Sequence, residues 1–220
     1  MLDILFLSWN RLRFTHFSIS ALMHNTNWSM VRSLWLYDDG SIDGTLELMR
    51  TIKAPCETRL VETMLRSPVA IMNDFIQRAK PGLFAKIDND TVVPPLWLEE
   101  CLGLMQQNPK LDILGIEPMH EIAYGPVTRR CVGTKWIGGI GLIQSRIFKT
   151  FPHPNGLFGF TGWQKSHQEV TKAWIKPALP VILLNRVPVE PWCSLSEDYK
   201  QKGWQRPWEH YTQADRALWD

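Results

Sequence analysis

Along the first hundred residues, short apolar runs alternate with segments whose apolar residues recur at helical spacing. Residues 2–7 and 83–87 are mostly apolar, as in buried strands, whereas Leu46, Met49 and Ile52 recur every three positions, as on one face of a helix. We predict strands at 2–8, 32–37, 58–63 and 83–88, and helices at 14–24, 44–52, 68–79 and 95–107. Strands that alternate with helices in this way predict βαβ units and a largely parallel sheet.

The second half of the chain gives shorter and less regular signals. We predict strands at 112–116, 140–143 and 180–184, a short helix at 145–150 and a longer one at 163–174. From residue 185 onward, proline, glycine and tryptophan dominate without periodicity. That composition indicates a tail or lid rather than another core element.

Composition limits the class of protein. A chain of 220 residues, 45% of them hydrophobic, can bury one full core. Its net charge of +2 is too small to argue by itself for a nucleic-acid partner. Four widely spaced cysteines exclude a zinc-finger layout and a disulfide-dense scaffold, and they favour free thiols. No signal-peptide pattern and no apolar stretch of about 18 residues is found. We therefore expect a soluble, cytoplasmic protein (in the host cytoplasm if it is viral) without a membrane segment.

Two acidic clusters follow predicted strands. Asp88-Asn89-Asp90 comes directly after the strand at 83–88, and the sequence DDGSIDGT at 38–45 follows the strand at 32–37. Each cluster alone is typical of a turn whose side chains bond their own backbone. Open α/β sheets bind ligands beyond the carboxyl ends of their strands, so both clusters could line one crevice. Carboxylate pairs of this kind hold Mg²⁺ or Mn²⁺, with substrate phosphates completing the shell.

These motifs, at this spacing, resemble those of the family 2 glycosyltransferases with a GT-A fold. The resemblance is specific over residues 2 to about 100 and thins beyond them. It implies an α/β, Rossmann-like nucleotide-diphospho-sugar transferase fold, with a mixed, mostly parallel sheet flanked by helices. It also implies one domain over 1–220, with a nucleotide-sugar-binding half at 1–100, an acceptor half at 101–184 and a tryptophan-rich tail or lid at 185–220.

The resemblance assigns donor-binding roles to three loops. The first loop, with Ser8, Asn10 and Arg11, would cup the nucleotide. Asp39, with Asp38, would contact the base. Asp88 and Asp90, with Asn89 between them, would hold Mn²⁺ or Mg²⁺ against the donor diphosphate, and Asn185 would be a third metal ligand.

The general base is harder to place, because the chain departs from the family pattern. The family has a glycine followed closely by a tryptophan and an acidic pair, whereas here Gly162-Trp163 is followed by Gln164-Lys165. The first acid is Glu169, which we take as the first candidate base. His167 is the second, because an imidazole titrates near neutral pH. The alternative for Glu169 is an exposed helix residue.

A glycine-rich segment supplies the candidates for acceptor binding. Trp136, Gly138 and Gly139 match the family's loop that faces the donor sugar and the acceptor, and Trp163 offers an aromatic face on which a sugar could stack. A bulged strand and core packing are the alternative readings.

The leading hypothesis is a metal-dependent, hexosyltransferase-type glycosyltransferase. It would move a sugar from a nucleotide-sugar, UDP-linked by preference, to a hydroxyl acceptor, with inversion. The acceptor is a glycan or, as a minority reading, a hydroxymethylated DNA base as in phage modification. Two alternatives stay open. A nucleotidyltransferase would need a glycine-rich phosphate loop that residues 7–13 lack. A non-catalytic nucleotide- or nucleic-acid-binding module would have lost its base.

Overall fold

The computed structural model describes residues 1–65, 67–116, 131–133, 141–152, 163–164, 166–175 and 182–183. In chain order, the strands are β1 (Leu2–Ser8), β2 (Val31–Asp38), β3 (Glu57–Glu62), β4 (Leu83–Asp88), β5 (Thr91–Val92), β6 (Ile113–Gly115), β7 (Cys131–Gly133), β8 (Gly141–Gln144), β9 (Lys172–Ile175) and β10 (Ile182–Leu183). The helices are α1 (Leu12–Asn25), α2 (Thr45–Thr51), α3 (Pro68–Arg78), α4 (Trp97–Gln107) and α5 (Ile147–Thr150), with a 3-10 turn at Trp28–Met30.

Within these described ranges the main sheet has eight strands in the order β3-β2-β1-β4-β8-β6-β9-β7. β1 to β4 run parallel to one another, β8 runs antiparallel to both β4 and β6, and β9 is parallel to β6. β5 and β10 form a separate antiparallel pair. The sheet is therefore mixed and mostly parallel, as the family resemblance implies.

Helices cover both faces of the sheet. Every residue of β1 is buried, which is why this central strand is almost continuously apolar. Alternate side chains of β1 enter two separate hydrophobic clusters, as the two-residue period of a strand requires. Phe6 packs with α1, α2 and α4 on one face, and Leu5 packs with α3 and α5 on the other.

The buried charged residue near the start of this strand is fully compensated. Asp3 is buried, and its carboxylate accepts hydrogen bonds from the guanidinium of Arg32 and from the hydroxyl of Ser33. Trp35 in turn donates its ring N–H to Ser33. A buried charge is tolerated only when it is paired and hydrogen-bonded in this way.

The predicted elements of the first hundred residues are confirmed, with ends shifted by one or two residues. The helix predicted at 163–174 is right only at its start, where residues 163, 164 and 166 are helical. Residues 172–175 instead form β9, which pairs with β6 and with β7. These pairings with residues 113–115 and 131–133 override the local helical pattern. Among the described residues, none of the helices is both long and apolar enough to cross a membrane.

Candidate functional site

The two acidic clusters meet at one edge of the sheet. In the parallel ladders, Ser8 at the end of β1 pairs with Asp38 at the end of β2, and Leu7 pairs with Asp88 at the end of β4. The loops that leave these three strands, 9–11, 39–44 and 89–90, therefore start side by side. This is the carboxyl-end edge at which open α/β sheets bind ligands.

The loop after β2 is shaped by the first residue of its motif. Asp38 is buried, and its Oδ2 accepts the backbone N–H groups of Gly40, at 3.1 Å, and Ser41, at 2.9 Å. The chain can turn there because Gly40 has a φ of 77°. The other carboxylate oxygen, Oδ1, is buried and has no hydrogen-bond partner within the part of the chain that the structure describes.

Asp39, the predicted base contact, is held by two neighbouring strands. Its N–H donates to the carbonyl of Ser8 at 2.9 Å, and the hydroxyl of Thr63, just beyond β3, donates to its Oδ1 at 3.0 Å. Thr63 also donates its N–H to the carbonyl of Asp38. The carboxylate is therefore oriented by Thr63 at the start of the crevice.

The first two loops are tied together by reciprocal hydrogen bonds. The N–H of Asn10 donates to the hydroxyl of Ser41 at 2.7 Å, and the side-chain oxygen of Asn10 accepts the N–H of Ile42 at 2.9 Å. The N–H of Leu12, the first residue of α1, donates to Asp43 at 2.9 Å. The side chain of Asn10 thus fixes the second loop, a task distinct from the donor contact predicted for it.

Asp43 precedes α2 without being its N-cap residue. The N-cap position is Gly44, with a φ of 91°. Asp43 instead accepts the N–H of Thr45 at 3.1 Å and its hydroxyl at 2.6 Å, while its second oxygen serves the first turn of α1. One carboxylate therefore anchors the starts of two helices, where the exposed N–H groups favour an anion.

The first loop is held in an unfavourable backbone conformation. Asn10 has a φ of 53° and Arg11 a φ of 66°, in the left-handed region that costs a non-glycine residue about 1–3 kcal/mol. Such strain persists only where surrounding contacts enforce it, and the bonds from Ser41 and Asp43 do so here. It turns the Arg11 side chain toward the third loop.

Asn89, the middle residue of the third loop, is a support for the first loop. Its amide nitrogen lies 3.1 Å from Ser8 Oγ, 3.0 Å from the carbonyl oxygen of Asn10 and 2.9 Å from Thr15 Oγ1. The Ser8 and Thr15 hydroxyls also bond each other at 3.1 Å. Ser8 and Asn89 are both buried, so these two predicted donor contacts lie behind the crevice and fix its geometry.

The two outer carboxylates of the third loop are each paired with a protein cation. Asp88 accepts from the ammonium of Lys86, and Asp90 Oδ2 lies 3.0 Å from Arg11 Nη1. Burial, followed by repulsion from Asp88, raises the pKa of Asp90, while Arg11 and Lys86 lower it. The site therefore contains two interacting carboxylates, and its environment disfavours the charged form of Asp90.

This pair fits a divalent metal ion by its chemistry. Hard cations take oxygen ligands, and Mg²⁺ or Mn²⁺ is commonly held by one or two carboxylates plus substrate phosphates and water. The side chain of Asp88 is 33% exposed, so it can reach a ligand in the crevice. No group of three or more His, Cys, Asp or Glu side chains with metal-site geometry occurs among the described residues. The metal would therefore take its remaining ligands from outside this pair.

Both base candidates lie at the opposite edge of the sheet. Lys172, the first residue of β9, pairs with Ile113, the first residue of β6. Through β8, this row continues to Phe84 near the start of β4. Glu169 and His167 come just before β9, and the carbonyl of His167 accepts from the ammonium of Lys172 at 2.7 Å. At about 3.3 Å per residue, Phe84 lies about 13 Å from Asp88 at the carboxyl end of β4.

The expectation that Glu169 or His167 faces the metal site is therefore not supported by their placement. Glu169 is exposed, as its alternative reading held, and the His167 ring packs against Phe151 at a centroid distance of 5.0 Å. The physical reason is topological: β8 reverses the chain direction, so the segment that leads into β9 begins at the amino-end edge. Neither residue lies where a general base for this site would be needed.

Trp163, predicted to contact the acceptor, is a core residue in this structure. It is 2% exposed, it stacks on Phe148 at 5.1 Å, and its ring N–H donates to the carbonyl of Phe151. A ring enclosed in this way has no free face for a sugar. Trp136, Gly138, Gly139 and Asn185 lie outside the described residues, and their roles stay predictions.

Sequence reasoning missed three residues that shape the site. Lys86 pairs with Asp88, Thr63 orients Asp39, and Ser41 ties two loops together. Only Lys86 leaves a signal in the sequence: a lysine inside an apolar strand, two positions before an aspartate, lies on the same face as that aspartate.

In a comparison with known proteins, one family model matches the sequence of this chain. The model of the family described as "Glycosyl transferase family 2" matches residues 7–153, which include all three loops. No curated protein sequence matches the chain.

Many solved structures resemble the fold. The 1–349 fragment of S. aureus TarS, in complex with UDP-GlcNAc, aligns with 86% of this chain at a TM-score of 0.62 and 10% identity. GalNAc-T7, with UDP, GalNAc and Mn²⁺, aligns with 80% of it at a TM-score of 0.62 and 10% identity. The chain spans 62% of the TarS fragment and 42% of the GalNAc-T7 chain. At this identity the likeness concerns the fold, which is that of GT-A glycosyltransferases.

Proposed function

Because the chain belongs to glycosyl transferase family 2, we propose that it transfers a sugar from a UDP-sugar donor to a hydroxyl acceptor with the help of a divalent metal. The observation that carries this proposal is the convergence of three loops at the carboxyl-end edge of β1, β2 and β4. There, Asp39 lies on one side of the end of β1 and the carboxylate pair Asp88 and Asp90 lies on the other, an arrangement that suits a nucleotide and a metal-bound diphosphate.

Each part of the crevice has a task in this reaction. Asp39, oriented by Thr63, would accept a hydrogen bond from the base, and Asp88 and Asp90 would hold Mn²⁺ or Mg²⁺. The metal supplies positive charge that stabilises the departing diphosphate. Asn89 and Asn10 tie the loops together, so that the backbone that carries the carboxylates is already in position when the donor binds. The UDP and Mn²⁺ found with GT-A neighbours of this fold support the choice of donor and metal.

The acceptor is proposed to be the hydroxyl of a glycan, with a hydroxymethylated DNA base as the second choice. An inverting reaction needs a base within hydrogen-bond reach of that hydroxyl. Since Glu169 and His167 lie at the other edge, the stereochemistry of the product is a necessary second readout. A chain that binds the donor without transferring its sugar would match the binding-module alternative.

The experiment that tests this proposal is a panel of nucleotide-sugars incubated with Mn²⁺ or Mg²⁺, with nucleotide release as the readout. Wild type is compared with Asp88→Asn and Asp90→Asn, which remove one charge each with little change in shape. Glu57→Gln, at an exposed position of β3, is the matched control for loss of one negative charge. We expect metal-dependent turnover of a UDP-sugar, lost in both aspartate variants and retained in the control.

Two other results would contradict the proposal. Turnover that is unaffected by chelation and by both aspartate variants would remove the metal from the reaction. Absence of binding for every donor, with or without metal, would remove the donor site itself. Once a donor is identified, glycans and hydroxymethylated DNA are tested in parallel as acceptors.

A further inference from the structure

The two carboxylates proposed to hold the metal are already neutralised by two protein cations. Lys86 pairs with Asp88, and Arg11 pairs with Asp90. A divalent ion that enters this site must compete with at least one of these pairs. The structure indicates which cation can leave.

Lys86 is fixed in place. Its side chain is 4% exposed, and its strand is hydrogen-bonded on one side to β1 and on the other to β8. It reaches Asp88 from two positions earlier on the same face of β4, so the two groups are held together by the strand itself. Removing this ammonium from its partner would leave a buried, unpaired charge, which is strongly unfavourable.

The side chain of Arg11 is less enclosed than that of Lys86. Its side chain is 22% exposed and extends from the tip of the first loop, opposite the 10% exposed side chain of Asp90. The guanidinium can therefore swing toward solvent or toward a ligand without breaking any strand pairing. Its planar set of N–H donors also suits phosphate oxygens, which it can contact in pairs.

We propose that Arg11 is the exchangeable cation of this site: it neutralises Asp90 in the donor-free chain, a divalent metal displaces it, and its guanidinium then pairs with the donor diphosphate. This proposal rests on the metal and donor site proposed above. Without metal, the two carboxylates and two protein cations cancel. With a divalent ion bound, two positive charges would be left to face the diphosphate, one of them on the partly exposed side chain of Arg11.

The exchange predicts that removal of Arg11 has opposite effects on metal and nucleotide. Without nucleotide, Arg11→Gly and Arg11→Ala should bind Mn²⁺ about threefold to tenfold more tightly than wild type, because the competing ion pair is gone. With saturating Mn²⁺, both variants should bind UDP about tenfold more weakly or worse, because a charge-assisted hydrogen bond is lost. Glycine also tolerates the left-handed backbone at position 11, so Arg11→Gly retains the fold.

The measurements are Mn²⁺ titrations followed by electron paramagnetic resonance of the free ion, and calorimetric titrations of UDP in the presence of Mn²⁺. Arg13→Ala removes the same charge from an exposed position two residues on, and it should change neither affinity. Arg11→Lys keeps the charge but loses the paired donors, so its Mn²⁺ affinity should stay near wild type while UDP binding weakens.

The possible failures are distinguishable. If Arg11→Gly and Arg11→Ala weaken both ligands, Arg11 only supports the loop and the exchange is wrong. If both affinities stay at the wild-type value, Arg11 contacts neither ligand and the exchange is wrong as well. If wild type itself binds no Mn²⁺, the metal site of the proposed function is wrong, and the exchange is wrong as well. If wild type binds Mn²⁺ and neither variant binds it more tightly, only the exchange is wrong and the proposed metal site stands.

Discussion

Replacing Asn89 with alanine tests whether the residue between the two metal-site carboxylates is a support or a ligand contact. Its amide nitrogen lies within hydrogen-bond distance of Ser8, Asn10 and Thr15. All three acceptors belong to the end of β1, the first loop and the start of α1. Alanine removes every one of these bonds and leaves the strand and the neighbouring aspartates unchanged.

The size of the effect follows from the hydrogen-bond inventory. One amide group has two N–H donors for the three acceptors, so it makes two full hydrogen bonds. The bond to the hydroxyls is worth about 1 kcal/mol, and the other is the bond to the carbonyl of Asn10. The Ser8 and Thr15 hydroxyls can still bond each other, whereas the carbonyl of Asn10 loses this donor at a cost of about 1–3 kcal/mol. We expect Asn89→Ala to lower the free energy of unfolding by about 2–4 kcal/mol.

The donor should also bind less well, because the first loop loses its anchor to the third. We expect KM for the donor to rise roughly tenfold, as is typical when reacting groups are misplaced by part of an ångström. The assays are urea unfolding followed by tryptophan fluorescence, and donor saturation curves at fixed Mn²⁺.

Asn108→Ala is the matched control for the Asn89 variant. It removes one amide bond to the carbonyl of Leu104 at the end of α4, far along the chain from the loops. It should cost about 1 kcal/mol of stability and leave KM unchanged. The reasoning is refuted if Asn89→Ala is no less stable than Asn108→Ala, or if it loses stability while KM stays at the wild-type value.

Three further predictions follow from the site. Thr63→Val removes the hydroxyl that orients Asp39, so KM for the donor should rise about threefold to tenfold, and Thr63→Ser should restore it; equal KM values for the two variants would contradict this role. Glu169→Gln and His167→Ala should leave sugar transfer within about twofold of wild type, because both residues lie at the far edge; a large fall in kcat for either would show that the segment before β9 reaches the crevice. The raised pKa of Asp90 means that the folded state binds a proton at this carboxylate more tightly than the unfolded state does. The stability contributed by this proton binding is therefore lost as pH rises through the ordinary Asp pKa toward the raised pKa. Asp90→Asn should lack this loss, so its stability relative to wild type should rise as pH increases above the ordinary Asp pKa in unfolding titrations without metal. An identical pH profile for the two proteins would contradict this prediction.

The first half of the fold could be predicted from the sequence because its signals are local and strong. β1 is buried on both faces and therefore reads as an apolar run, and α3 begins at Ser67-Pro68, a residue pair that starts helices. The second half could not be predicted to the same extent. β6, β8 and β9 are only three or four residues long, and their pairings join residues far apart in sequence. Lys172 thus lies in a strand although its surroundings follow a helical pattern.

For the site, the sequence predicts position better than role. Asp38, Asp39, Asp88 and Asp90 follow strand ends, so their meeting at one edge can be inferred from the motif spacing alone. The function of Asn89 as a brace depends on hydrogen bonds that cross seventy-four or more residues, which no local pattern encodes.

The edge on which the base candidates lie was the hardest feature to infer. It depends on the reversed direction of β8, and hence on the order of strands in the sheet rather than on the acid's place in the sequence. Glu169 is the first acid after Gly162-Trp163. This position in the sequence carries no information on the direction of the neighbouring strands.

The central claim is that the carboxyl-end edge of β1, β2 and β4 holds a divalent metal and the diphosphate of a nucleotide-sugar. A crystal structure of the chain with UDP and Mn²⁺, with the metal located by its anomalous scattering, tests this most directly. We expect one manganese peak within about 2.0–2.3 Å of carboxylate oxygens of Asp88 and Asp90, with the base of UDP beside Asp39. Nucleotide bound at another edge of the sheet, or manganese away from both carboxylates, would contradict it.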